Sequence, residues 1–490
     1  MLTQSVCLLE LRDGGFPPFE KKSLLIMESK SRTAWLVLGL PLAIGLAWIT
    51  HGNGVIQNDL DRNISIPDEL TIPLQVQAAF NESHVFFRYR WPANQPHVLH
   101  DVLVYNNGEW DRKGGGMPGP NPEGFHEDRV SMMLDDGSVP GFSRYGGYIT
   151  VGAGSAGFTN EAPEEVSKSL PGTRIDVTDW SSVQPAETLQ AQRDAGYFLD
   201  LWHWRANRSN PLNLSDDQWV SEQRGSDSGS SLYSTNWNAD ASAPRWMFNP
   251  ETTGQYALRM EDIPNGQVDP NSVYYLSDDT AIAFDPDHAW QNGDVIPRRY
   301  VNQAEGSRGD IKVHNEAVWN DGYWDVTLSR LLDTGAPTED KILQDQGLYS
   351  AAFAIHRNAT GGRWHMVSLP VSLGMGRDAD LRAVAFSGAQ PQWGNNWNEV
   401  SLFYPGQVDW PLLISRAHAG AEDIELGTPV RARHSERQLA IYGVEMEFNS
   451  EIIRQWLLTL LAGLVLMLGV TIGLFSVFST QKNNQKGARS

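Results

Sequence analysis

From about residue 74 onward, apolar and polar side chains alternate in short runs, the two-residue period of strands rather than the 3.6-residue period of helices. "LQVQAAFNESHVFFRYRW" (74–91) alternates, breaks at the polar step Asn81-Glu82-Ser83, and resumes with β-formers, which predicts a hairpin. "AVWNDGYWDVTLSRLL" (317–332) has the same design around Asn320-Asp321-Gly322, where glycine supplies the positive φ of a tight turn. "AFAIHRNATGGRWHMVSLP" (352–370) predicts a third hairpin, and "LAIYGVEMEF" (439–448) a last alternating strand. One short soluble helix is predicted, around 183–200. Long connections rich in Gly, Pro, Ser and Asp occupy 106–124, 153–182, 205–245 and 262–310. The fold expected is mostly β: an antiparallel β-sandwich with long loops, taken as one domain over 51–453.

Two apolar segments flank that domain. "AWLVLGLPLAIGLAWI" (34–49) has 16 uncharged residues behind Lys21, Lys22, Lys30 and Arg32, and reads as a transmembrane signal anchor over 34–50. "WLLTLLAGLVLMLGVTIGLFSVF" (456–478) has 23 uncharged residues, enough to cross ~30 Å of hydrocarbon. Lys482, Lys486 and Arg489 follow it, so the positive-inside rule makes both tails, 1–33 and 479–490, cytoplasmic. The expected place is the inner membrane with the bulk of the chain in the periplasm. "MESKSRTAWLVLG" from Met27 is the cleaner signal sequence, so Met27 is the expected true start.

Charge and cysteine narrow the chemistry. A formal net charge of −21 argues against nucleic acid, whose phosphates need a basic face. The single cysteine, Cys7, excludes an internal disulfide, a cysteine-based zinc site, an iron–sulfur cluster and a C-x-x-C-H haem attachment. A metal held here must use His, Met, Lys, Asp or Glu. No G-x-S-x-G, H-E-x-x-H or P-loop is present, and no dinucleotide fingerprint follows a strand.

Three clusters carry candidate chemistry. In the late hairpin, a six-residue loop over 357–362 pairs His356 with Arg363 and Ala354 with His365. Both histidines then share a face with Ala352, Ala354 and Val367, small neighbours that leave room for a flat ligand. In "LDLWHWRANRSNP" (199–211), His203 points away from Trp202 and Trp204, together with Leu201 and Arg205. Arg205 and Arg208 offer planar forks for carboxylates, and a ring such as Trp204 could stack on a planar ligand. In "FHEDRVSMMLDDGSVPGFSRYGGYITVG" (125–152), Met132 and Met133 take opposite faces of a strand, and a thioether can ligate iron. Ordinary core packing accounts for each cluster equally well on spacing alone.

Taken in order, "LQVQAAFNESHVFFRYRW", "EDRVSMMLDDGSVPGF", "DLWHWRANRSNP", "VWNDGYWDVTLSRLLDTG" and "YSAAFAIHRNATGGRWHMVSLP" resemble the haem-binding domain of the ethylbenzene dehydrogenase family. That family includes haem b γ-subunits of periplasmic molybdenum enzymes and related membrane-attached cytochromes. The resemblance implies a β-sandwich clamping a non-covalent haem b, its iron held by one Met and one Lys. The family's lysine stands just before a Val/Ser step, where this chain has His365-Met366-Val367-Ser368. It thus marks His365 as axial ligand with His356 in reserve, and leaves the second ligand among Met133, His203 and His356. Where several relatives carry a covalent haem motif this chain reads "GYITVG" (147–152), so no c-type haem is expected.

The function expected is therefore electron transfer by a membrane-anchored haem b protein, not an enzyme. Its expected partners are molybdenum oxidoreductase subunits or a c-type cytochrome. A second reading, from a different class, is a carbohydrate-binding module stacking sugars on Trp202, Trp204, Trp393 and Trp397. A third is a structural subunit that has lost its haem.

Overall fold

The computed structural model describes residues 71–113, 125–150, 168–176, 181–263, 268–357, 366–403, 457–475, 478 and 479. The β domain falls in a unit spanning 57–446, and the apolar C-terminal helix in a second unit made of 1–56 and 447–490.

The early hairpin joins β1 (Thr71–Phe80) to β2 (His84–Pro92), with Ala79 opposite Phe86 and Gln75 opposite Arg90. The turn closes because Asn81 Oδ1 accepts from the backbone N–H of Ser83 at 3.0 Å and of His84 at 2.8 Å, a side chain standing in for a turn carbonyl. β3 (Val102–Asn106) and β4 (Glu109–Lys113) form a smaller hairpin. Then come β5 (Arg129–Asp135), β6 (Leu199–Arg205), β7 (Asp216–Val220), β8 (Arg224–Ser226) and β9 (Asp294–Pro297). The expected helix is present as α1 (Ala186–Asp194). β10 (Lys312–Val313), β11 (Val318–Asn320) and β12 (Tyr323–Leu331) follow. The turn between β11 and β12 has Asp321 at φ 50° and Gly322 at φ 79°, the left-handed pair a two-residue hairpin requires. The rest is β13 (Leu348–His356), β14 (Met366–Ser368), β15 (Val371–Met375), β16 (Leu381–Ala385) and β17 (Asn398–Phe403).

The mostly β, largely antiparallel expectation holds; β3, β4 and β9 belong to a separate four-stranded sheet, and the other fourteen strands join in one sheet rather than the two of a sandwich. One 14-stranded sheet runs β10-β12-β2-β1-β16-β15-β13-β5-β6-β7-β8, with β11, β14 and β17 added at its sides. Two pairings, β1 with β16 and β15 with β16, are parallel. The wings pack face to face: Phe87 of β2 meets Trp202 of β6 at 5.3 Å, and Trp204 meets Trp91 at 5.9 Å and Trp324 of β12 at 5.2 Å between ring centroids. Edge-on contacts of this kind bury large apolar area and fix relative orientation.

The late hairpin pairs Ala354 with Val367 and Ile355 with Met366, a register two residues from the one expected. A shift of two preserves the face, so Val367 still sides with Ala354 and His356. His365, the predicted strand 439–448 and the apolar segment 34–50 lie outside the described residues. The second apolar segment is a helix over Leu457–Phe475, 19 residues with mean hydropathy 2.5 and so about 28 Å long. It is the one helix among the described residues long and apolar enough to cross a membrane.

Candidate functional site

Cross-strand register assembles the candidate site. One row places Ala354 (β13), Ser131 (β5), His203 (β6) and Asp216 (β7) side by side. The next row toward the end of the strands has His356, Arg129 and Arg205, and the row on the other side has Ala352, Met133, Leu201 and Gln218. Alternation puts all of these on the face opposite the aromatic core. The floor between the functional groups is made of Ala352, Ala354 and Ser131, none of which projects far. At its lower end the turn at Gly146, φ 54°, crosses so close that a Cβ there would lie 3.3 Å from Ala352 Cβ.

His203 and His356 lie on either side of β5, ring centroids 6.4 Å apart and planes 24° from parallel. His203 Nδ1 accepts from Arg205 Nη2 at 3.1 Å and from Arg224 of β8. A ring accepting at Nδ1 carries its remaining proton at Nε2, and that buried nitrogen has no hydrogen-bond partner among the described residues. Burial first, then Arg205 and Arg224, hold the His203 pKa well below 6.5, so the imidazole is neutral.

The surrounding charge is unbalanced. Arg129, Arg205, Arg208 and Arg224 gather around two carboxylates, Glu127 and Asp216. Glu127 accepts from Arg208 Nε at 2.5 Å and stands 3.5 Å from Arg129 Nε; Asp216 pairs with Arg205 at 2.7 Å and also with Arg308 at 2.7 Å. Glu127 is held below the usual carboxylate range: burial pushes its pKa up, and Arg208 and Arg129 more than reverse that. Arg129 and Arg224 are pushed down to about 9, by burial first and then by Arg208 and Arg205 respectively. Three buried guanidinium groups and the half-buried Arg224, against two carboxylates, leave this face short of about two negative charges, before Arg308 is counted.

Beyond Arg129 lies a second group that the sequence reading passed over. His100, Asp101 and His126 are buried and can bring three ligand atoms within 4.8 Å of one another. The His100 and His126 rings are 6.1 Å apart, and neither nitrogen of His126 has a hydrogen-bond partner among the described residues. Arg298 and Arg299 hold Asp101 Oδ2 at 3.2 and 2.9 Å, so the carboxylate is already matched by positive charge.

The residues singled out in the sequence separate cleanly. His203, His356, Met133 and Arg205 share one face, with Arg208 at its edge stacked 5.0 Å over Tyr233. Met132 faces the core, where Tyr89 Oη donates to its sulfur at 3.5 Å, which leaves Met133 as the methionine on this face. Trp204 is corrected: it is fully buried on the opposite face, its Nε1 donating to Asn210 at 3.1 Å, and it reaches no ligand on the histidine face. Trp202 is buried likewise, which removes two of the four platforms of the sugar-binding reading. Arg129, Arg224, Glu127 and Asp216 were not foreseen. The only local trace of the first and third was the charged run His126-Glu127-Asp128-Arg129 before an apolar strand.

No curated protein matches the chain. The family model described as ethylbenzene dehydrogenase matches residues 47–368, which includes every strand of the candidate face. The match covers about two thirds of the chain and agrees with the resemblance read from its strands, so this protein belongs to the ethylbenzene dehydrogenase family.

Proposed function

We propose that this chain is a haem b-binding, electron-transferring subunit, with the cofactor against the His203/His356 face. The observation that carries the reading is the charge deficit: two carboxylates for four clustered arginines matches the two propionates of a haem. Arg129, Arg205 and Arg224 would hold those propionates, with Arg208 supporting through Glu127. Ala354 and Ser131 leave a planar group room that larger side chains would fill, while Ala352 beside them is covered by the Gly146 turn.

His365, marked by the family resemblance, remains the first candidate for axial ligand. His356 and Met133 are the candidates among the described residues. His203 suits a different task. Its Nδ1 is engaged by arginines, so its Nε2–H donates a hydrogen bond into the site rather than binding iron. When bound, haem b supplies a one-electron ferric/ferrous couple; these residues seat it, neutralise it and exclude water. In this reading the chain carries out no bond chemistry and passes electrons between a molybdenum oxidoreductase or c-type cytochrome and the membrane side. Its place is the periplasmic face of the inner membrane, held by the apolar helix.

The test is the absorption spectrum of the full-length protein, reconstituted with haem, beside its His365→Ala, His356→Ala and Met133→Leu variants. A Soret band in the wild type, with α/β bands altered in two of the three variants, is expected. A reconstituted wild type without a Soret band overturns the proposal.

A further inference from the structure

On the inner side of the same wing, four aspartates crowd one arginine. Asp200 (β6), Asp217 (β7) and Asp340 surround Arg330 of β12, which reaches Asp200 Oδ2 at 2.7 Å, Asp217 Oδ2 at 3.3 Å and Asp340 Oδ1. The fourth, Asp227, directly follows β8 and donates its backbone N–H to the Asp217 carbonyl at 3.2 Å. All four are at most 3% exposed, and Arg330 is 1% exposed. Lys341, the next cation, directs its Nζ away to Asp136 and the Gly196 carbonyl, both at 2.7 Å. The group therefore holds four carboxylates against one guanidinium.

The carboxylate oxygens are unevenly used. Asp340 Oδ2 accepts from Thr334 at 2.5 Å and Asp200 Oδ2 from the Lys341 backbone N–H at 3.0 Å. Asp200 Oδ1, Asp217 Oδ1 and both oxygens of Asp227 are buried with no hydrogen-bond partner among the described residues. Unsatisfied buried oxygens of this kind are costly, and buried charges persist when paired or bound to metal. Asp200, Asp217 and Asp340 can each turn an oxygen toward a common point, with those oxygens within 4.8 Å of one another. Oxygens bound to one calcium ion at roughly 2.3–2.6 Å lie within about 5 Å of each other. Burial raises the Asp227 carboxyl pKa, and repulsion from Asp340 and Asp200 raises it further, so an added positive charge is favoured there.

We propose that Asp200, Asp217 and Asp340 bind one divalent cation of the calcium type, with the buried Asp227 carboxylate beside them adding its charge, a structural ion tying β6, β7 and β8 to the connection after β12. Arg330 neutralises one carboxylate and the ion two more. Hard carboxylate oxygens, with no histidine or sulfur in the group, select calcium over zinc or copper. The ion sits on the core side of the sheet, so it is independent of the histidine face and of its cofactor.

The test uses the full-length protein in detergent, stripped with EDTA and titrated with calcium, and separately with terbium. Arg330 Cζ lies 4.8 Å over the Trp202 ring, so terbium in this group is within range of an indole to sensitise it. Expected are a rise in Tm with calcium, terbium luminescence on tryptophan excitation, and displacement of terbium by calcium. Asp227→Asn and Asp217→Asn should each weaken calcium binding at least tenfold. In EDTA, Asp227→Asn should unfold no earlier than wild type, because a neutral amide there needs no counter-charge. No calcium-dependent rise in Tm, or a rise of equal size in Asp227→Asn, overturns the proposal. Absence of tryptophan-sensitised terbium emission, with calcium binding intact, places the ion elsewhere and overturns it too.

Discussion

At the scale of single residues, three imidazoles are kept neutral by burial first and then by nearby arginines, of which Arg129 acts on all three. His126 is pushed down to about 4, by burial first and then by Arg129, while His100 and His203 are pushed well below 6.5. A histidine that is neutral when folded takes up its proton only on unfolding, so its contribution to stability is lost as pH falls from about 6.5 through 4. Asp135, pushed up to about 6 by burial, works in the opposite sense, so the measurement must be differential. His126→Asn should flatten the fall of the urea midpoint between pH 7 and 4.5, by on the order of 2 kcal/mol at the acid end. Parallel wild-type and variant curves would show that His126 does not titrate as placed. Trp204 makes a second residue-scale case. Buried between Trp91 and Trp324, it should cost roughly 3–5 kcal/mol as Trp204→Ala, a loss of fold rather than of ligand contact.

At the scale of elements, hairpins were legible because their turns are local chemistry. Asn81 and the Asp321-Gly322 pair determine their turns within four residues, and strand registers follow from there. Gly322→Ala should cost about 1–2 kcal/mol, since alanine at φ 79° meets the left-handed penalty. It should leave the haem spectrum unchanged, because this turn is far in register from His203; a lost Soret band in a folded variant would contradict that. The faces of His203 and Met133 were also legible, because alternation is a property of one strand. What alternation could not reveal was which strands lie beside each other. Arg129 meets Arg205 and His356 only through the β5–β6 and β5–β13 pairings, across 76 and 227 residues of chain respectively. Arg224 reaches His203 only because β8 folds back on β7. The aspartate group was hidden for the same reason: Asp200, Asp217 and Asp340 come from three separate segments, each reading singly as a strand end or a polar loop. Two separate sheets were expected because hairpin patterns carry no information on the parallel joins through β16.

At the scale of the whole molecule, two segments are candidates to attach the β domain to a membrane. Leu457–Phe475 has the length and mean hydropathy of 2.5 for a span, and only 11% of its most apolar window is buried in the structure. A soluble core helix of that composition would bury its apolar stripe against neighbours; here Leu457, Leu461, Met467, Leu468 and Phe475 are each at least 60% exposed. The segment 34–49, expected from the sequence to anchor the chain, lies outside the described residues and is the second candidate. The two make separable predictions in alkaline carbonate extraction of membranes expressing the chain. Removing 447–490 should leave the protein in the pellet if 34–49 is an uncleaved anchor, and removing both should release it. Release after removal of 447–490 alone would mean that the first segment is cleaved or does not anchor. The apolar helix would then be the sole tie.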